Sequence, residues 1–203
     1  MELSILMNDD TTGNGKAEII MDYVMSYSLR HAVDKYLVEK PKLCRYCRYM
    51  LSRLIDVDIT DQTHIVSVKV WREWKYIDLR VEVAIQEGKI EQTYALLIEN
   101  KYYSKLRKNQ LVDYKKTFDE YYQNKETYVP MENRRYKLVA CHEEDKIEQL
   151  YREEVNKTKS KNDNGFDIRS FYDLLPKKYW HEDKWVYEVT ESEIFNEFWL
   201  SKW

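Results

Sequence analysis

Between His64 and Ile85 the apolar residues fall on every second position in two successive runs, with a third, nearly continuous apolar run ending at Glu99, and this constrains the fold more than any other feature of the chain. Ile65/Val66, Val68 and Val70 alternate with Ser67, Lys69 and Trp71. Ile77, Leu79, Val81, Val83 and Ile85 then alternate with Asp78, Arg80, Glu82 and Ala84. A period of two sends successive side chains to opposite faces of a strand. The third run, Thr93 to Ile98, is almost wholly apolar, the pattern of a strand covered on both faces. With Glu87-Gly88-Lys89 as a turn, residues 64–99 read as a three-stranded meander.

On either side of the meander the period is helical. After a loose start over residues 1–15, Ile20, Val24, Tyr27 and His31 predict an amphipathic helix from about Lys16 to Tyr36. Beyond Pro41, Leu43, Cys47, Met50, Leu51 and Leu54 mark a second helix. Ser104 to Gln123 carries an inner stripe of Leu106, Leu111, Tyr114, Phe118 and Tyr121. Tyr136 to Cys141 reads as a short buried strand, Glu143 to Asn156 as a charged helix, and 157–165 as a polar loop. The remainder, 166–203, is rich in aromatics. It includes a segment from Phe166 to Leu175, a strand near Trp185 and a capping-box start, Thr190-Glu-Ser-Glu193, ahead of Ile194, Phe195, Phe198 and Trp199. No repeat or linker interrupts the order, so residues 1–203 are expected to form one α/β domain, with a core over about 15–142 and an extension over about 143–203.

Composition narrows the class. A hydrophobic fraction of 43% supports a sizeable core, and only 4 Gly and 3 Pro argue against many-turned all-β folds. Three cysteines are too few for a secreted disulfide framework. The longest aliphatic run, Ala95-Leu96-Leu97-Ile98, falls far short of the ~20 residues of a membrane helix. No signal peptide is visible after Met1, so a soluble cytoplasmic protein is expected. The formal net charge of -3 argues, at whole-chain level, against a dedicated nucleic-acid binder.

Charge enters the apolar pattern at one place. The third strand ends abruptly in Glu99-Asn100-Lys101, and Asp78 interrupts the second strand between Ile77 and Leu79. A two-residue turn at Glu87-Gly88 sets Asp78 opposite Leu97 with Glu99 as its diagonal neighbour, whereas a turn at Gly88-Lys89 sets Asp78 directly opposite Glu99. In either register the Cβ atoms lie roughly 5–8 Å apart. A three-residue loop without a bulge would put the two acids on opposite faces. Lys101 shares the face of Glu99 if the strand continues. Two carboxylates and an ammonium at one strand end suit metal-assisted hydrolysis of a phosphodiester. Hard oxygens hold Mg²⁺ or Mn²⁺, and the lysine orients or deprotonates water or stabilises developing negative charge.

Asp78, the Glu99-Asn100-Lys101 strand end and the downstream Gln110-Leu111-Val112-Asp113-Tyr114 together resemble the PD-(D/E)XK nuclease superfamily, and within it bacterial and phage proteins with an IENK…QLxxY signature. The resemblance covers roughly residues 15–142. It implies a restriction-endonuclease-like αβββαβ core, with a mixed central sheet flanked by helices and an aromatic-rich C-terminal extension added. It further implies Asp78 and Glu99 as metal ligands, joined by the backbone carbonyl of Asn100, and Lys101 as the catalytic lysine. Gln110 and Tyr114 match the family's Gln-x-x-x-Tyr, and Glu18 best matches its first-helix glutamate. Tyr114 also lies on the Leu111/Phe118 stripe, where core packing explains it equally. Ile77 departs from the family's proline.

The implied activity is a Mg²⁺- or Mn²⁺-dependent endonuclease acting on DNA, with RNA the alternative substrate. A catalytically inactive module of the same fold, binding nucleic acid or protein, is the rival reading. Cutting both strands of a duplex would call for a homodimer, although no stretch of sequence marks its interface.

The charge objection weakens locally. From Lys101 to Lys116 stand Lys101, Lys105, Arg107, Lys108, Lys115 and Lys116 against Asp113 alone, a local +5. Lys105, Arg107, Lys108, Tyr114 and Lys115 are therefore the expected nucleic-acid contacts, salt-sensitive and largely blind to sequence. The same segment also reads as a solvated helix face. Cys44, Cys47, Cys141 and His142 could make a zinc site, but Cys47 lies on an apolar stripe and a second C-x-x-C is missing.

Overall fold

The computed structural model describes residues 14–102, 104–141, 144–160, 164–181 and 184–201. Residues 1–13 of the expected loose start, together with His142, lie outside them, while Asn14 and Gly15 already belong to the first helix. The alternating runs become β1 (His64–Trp74) and β2 (Ile77–Glu87), the nearly all-apolar run β3 (Ile90–Lys101), and the Tyr136 run β4 (Arg134–Ala140). β1–β2 and β2–β3 are antiparallel, while β3–β4 is parallel. A fifth strand, β5 (Asp167–Ser170), joins β4 in parallel. Its four residues are too short to show a period, and no sheet edge was expected there. The order β1-β2-β3-β4-β5 makes a mixed sheet flanked by helices, as the restriction-endonuclease-like expectation requires.

Helices cover both faces. α1 (Asn14–Arg30) and α3 (Pro41–Ile55) pack with Leu79, Val81, Val83, Leu96 and Ile98 on one side of the sheet. α4 (Gln110–Gln123) and α5 (Glu144–Asn156) pack with Ala95, Leu97, Tyr136 and Leu138 on the other. Beyond the β6–β7 hairpin (Tyr179–His181, Lys184–Val186), a short α6 (Glu193–Phe195) and a π-turn return to the first layer. Phe195, Phe198 and Trp199 are buried there. The Trp199 ring stacks on Phe171 at 4.2 Å and its Nε1–H donates to Ser28 Oγ at 2.9 Å. No helix of the described residues is long and apolar enough to cross a membrane.

Three local expectations change. The first helix ends at Arg30 instead of near Tyr36, leaving a single turn, α2 (Tyr36–Glu39), beyond the break. Asp34 accounts for this. Its carboxylate accepts from the Ile65 N–H at 2.7 Å and pairs with Arg48 at 2.9 Å, while its own N–H donates to the Ile65 carbonyl. The chain is thus docked on the edge of β1, at a bulge between Ile65 and Ser67. The helix expected from Ser104 starts at Gln110, because Asn109 takes a left-handed conformation (φ 60°) and Gln110 Oε1 accepts from the Arg107 N–H at 2.9 Å. At the C-terminus the cap is Ser192, which accepts from the Phe195 N–H at 3.2 Å, while Thr190 bonds Asn196.

The β2–β3 turn fixes what lies opposite what. Glu87 pairs with Ile90, so the loop is Gly88-Lys89, with Gly88 at φ +63°, a conformation glycine adopts without steric cost. Leu79 then faces Ile98, and the next step of the register brings Asp78 opposite Glu99.

Candidate active site

β3 runs through the centre of the sheet, so its last residues stay buried after the apolar pattern stops. Glu99 is 1% exposed, Asn100 0% and Lys101 6%. Charged side chains this deep need partners, and those partners define the site. Lys101 Nζ donates to Glu99 Oε1 at 2.6 Å and lies 3.9 Å from Glu18 Oε2. Gln110, at the first turn of α4, donates through Nε2 to the same Glu99 oxygen and contacts the Tyr114 hydroxyl at 3.4 Å. Asp78 Oδ2 accepts the backbone N–H of Asn100 at 2.7 Å.

The second Glu99 oxygen, Oε2, is buried without a hydrogen-bond donor. An acceptor left bare in the interior is costly, and a cation is the partner that would complete it. Burial first, then the Asp78 charge, pushes the Glu99 carboxyl well above the usual carboxylate range. Asp78 is raised as well, again first by burial, against the lowering effects of Lys101 and the Asn100 N–H. Burial opposes the Lys101 charge, yet Glu99, Asp78 and Glu18 together hold the ammonium above its ordinary pKa. No group of three or more His, Cys, Asp or Glu is placed as a ready metal cage among the described residues. What the site offers a metal is a two-carboxylate edge with hard oxygen donors, of the kind Mg²⁺ or Mn²⁺ uses while keeping waters.

Glu18 sits on α1 beside the exit of β3. Its Oε1 accepts from the Tyr102 N–H at 3.0 Å and from the Ser104 hydroxyl. One helical turn on, Asp22 joins the cluster, a residue that sequence reasoning passed over. It is 6% exposed and accepts from Asn100 Nδ2 at 2.6 Å. Burial, then the nearby Asp78, raises its carboxyl from an ordinary 3.8 to about 7. The available signal was an acid four residues after Glu18, on a face that otherwise reads Met21, Val24, Met25.

The basic segment divides in two. Lys105, Arg107 and Lys108 are exposed in the stretch between β3 and α4. Lys115 is not available to a nucleic acid and corrects the expectation. It is buried, pairs with Asp119 at 2.6 Å and lies 4.5 Å from the centre of the Tyr136 ring. Its place on the inward face of α4 turns its charge into the core. Tyr114 is buried too, packed with Leu111 and Phe118, and its hydroxyl meets Gln110 and Arg107. Cys44, Cys47 and Cys141 are buried free thiols, and burial raises the pKa of each.

No curated protein and no solved structure matches the chain. A family model, that of the PD-(D/E)XK nuclease superfamily, matches residues 3–141.

Proposed function

The chain belongs to the PD-(D/E)XK nuclease superfamily, and from that premise we propose that it is a divalent-metal-dependent nuclease hydrolysing DNA phosphodiester bonds. One observation carries the reading. Asp78 stands opposite Glu99, whose Oε2 is buried with no donor, beside the buried ammonium of Lys101. Asp78 and Glu99 would hold Mg²⁺ or Mn²⁺, with the Asn100 carbonyl as a third oxygen. Such a cation supplies charge neutralisation at the scissile phosphate and makes a water more acidic.

The chain's own residues supply the rest. Lys101, kept charged by three carboxylates, acts as a donor that orients water and stabilises negative charge developing on the phosphate. Gln110 occupies Glu99 Oε1, which leaves Oε2 to face the site. Glu18 fixes the 102–104 backbone that leads from Lys101 into the basic segment. Lys105, Arg107 and Lys108 there contact flanking phosphates without reading sequence.

The test is cleavage of DNA and of RNA with Mg²⁺ or Mn²⁺ by wild type, Asp78→Ala and Lys101→Ala, with melting curves to establish folding. Folded variants are expected to lose about 10²–10³-fold in rate. Cleavage indistinguishable from wild type would overturn the assignment, as would inactive wild type that binds no Mn²⁺ in a calorimetric titration.

A further inference from the structure

Just before Asp78 the chain makes a two-residue turn with unsuitable residues. Trp74 pairs with Ile77, so Lys75 and Tyr76 alone form the β1–β2 loop. Both have positive φ, 51° and 68°, and Glu73 just before them has φ 52°. A two-residue hairpin loop demands left-handed backbone, which Asn-Gly or Gly-Gly supplies cheaply and bulky side chains do not. Left-handed backbone at Lys75 and Tyr76 therefore costs stability that glycine would not.

The tip stands on a packed aromatic base. Behind it the Arg80 guanidinium lies 3.7 Å from the centre of the Trp71 ring, 4.7 Å from that of Trp74 and 4.6 Å from that of Tyr121. Trp74 meets Tyr121 edge-on at 4.9 Å. This stack ties the hairpin to α4 on the sheet face that Asp78 shares with Arg80. On the other face Arg72 lies 3.3 Å from the Tyr23 ring, next to Asp22. Beyond that packed base Tyr76 is 88% exposed.

We propose that Tyr76 stacks on an unpaired nucleobase of the substrate strand beside the cleaved phosphate, with Lys75 on the neighbouring phosphate. The inference rests on the nuclease reading and adds the substrate class: single-stranded or locally opened nucleic acid in preference to continuous duplex. A tyrosine ring offers every base a π-face, whereas bases inside a duplex already stack on their neighbours. The exposed Lys105, Arg107 and Lys108 follow Lys101, while the aromatic tip precedes Asp78, so the strand would pass between a phosphate-holding side and a base-holding side.

The experiment uses an oligonucleotide carrying the fluorescent base 2-aminopurine, whose emission is quenched by stacking, titrated without divalent metal as single strand and as duplex. Tyr76→Gly is expected to bind the single strand about tenfold more weakly, with the quench lost, and to change duplex affinity by less than about twofold. Tyr76→Phe keeps the ring and is expected to match wild type. Tyr76→Gly suits the left-handed turn and is expected to melt no lower than wild type, so lost binding cannot be lost fold. Unchanged single-strand binding by Tyr76→Gly, equal losses on both substrates, or Tyr76→Phe as weak as glycine would each overturn the inference. Active wild type with any of those outcomes leaves the nuclease reading standing. Quenching that depends on Tyr76 in a protein that neither cleaves nucleic acid nor binds Mn²⁺ removes the nuclease reading and leaves the base-binding tip.

Discussion

Replacing Asp22 by Asn is expected to stabilise the metal-free protein in mild alkali and to have no effect in acid. Asp22 is buried, accepts a hydrogen bond from Asn100 Nδ2 and lies near the Asp78 carboxylate, which together with burial lifts its carboxyl from 3.8 to about 7. Because the folded value lies above the unfolded one, the contribution to stability is complete below pH 3.8 and is lost as pH rises towards 7. That interval corresponds to about 4 kcal/mol, at 1.36 kcal/mol per pH unit. Asparagine keeps the oxygen that accepts from Asn100 and never ionises. About half of that cost, roughly 2 kcal/mol, is expected to be recovered at pH 8, because structural relaxation and water entry already soften the cost of a buried charge. For a chain of this size that is about 4–8 °C in melting temperature. Thermal melts of both proteins at pH 4, 6 and 8, with and without Mn²⁺, make the assay. The curves should coincide at pH 4, separate at pH 8, and draw together again when the cation neutralises the carboxylates. Parallel melting profiles across pH, or a variant less stable at pH 8, would refute the reasoning.

Three further outcomes follow from side chains whose positions the fold decides. Lys105, Arg107 and Lys108 changed together to Ala should flatten the dependence of log K on log salt by up to about 0.9 per lost contact, measured by anisotropy on labelled DNA. Lys115→Met, with its charge turned into the core against Asp119, should leave that slope unchanged. Trp199→Ala removes a ring stacked on Phe171 and a donor to Ser28, and should cost about 3–5 kcal/mol by denaturant titration. A cost under about 1 kcal/mol would show that the C-terminal segment is not integral to the α1–α3 layer.

What the sequence disclosed, and what it withheld, follows the range of the interactions involved. The alternating runs of β1 and β2 were legible because a period of two is local, and the Gly88-Lys89 register was one of two two-residue alternatives that glycine made visible. Asp78, Glu99 and Lys101 could be brought together on paper because one hairpin relates them. Helix ends were less legible: Asp34 stops the first helix by bonding Ile65, 31 residues away. Asp22 was missed for the same reason, since Asn100, 78 residues on, is what gives it a place. Lys115 misled because one sequence cannot say which helical face a lysine occupies until Asp119 and Tyr136 are seen around it. β5 had too few residues to carry a period at all.

The Asp34 contacts on β1 have a meaning for life in a crowded solution. β1 is an eleven-residue outer strand, long enough to recruit a strand from another molecule. At one end Asp34 takes both the N–H and the carbonyl of Ile65, and the bulge there throws Val66 out of register. Further along, Arg30 Nη2 donates to the Val70 carbonyl at 2.5 Å. A visiting strand would find the Ile65 and Val70 carbonyls and the Ile65 N–H already taken, so the residue that ends a helix also blocks part of the sheet edge.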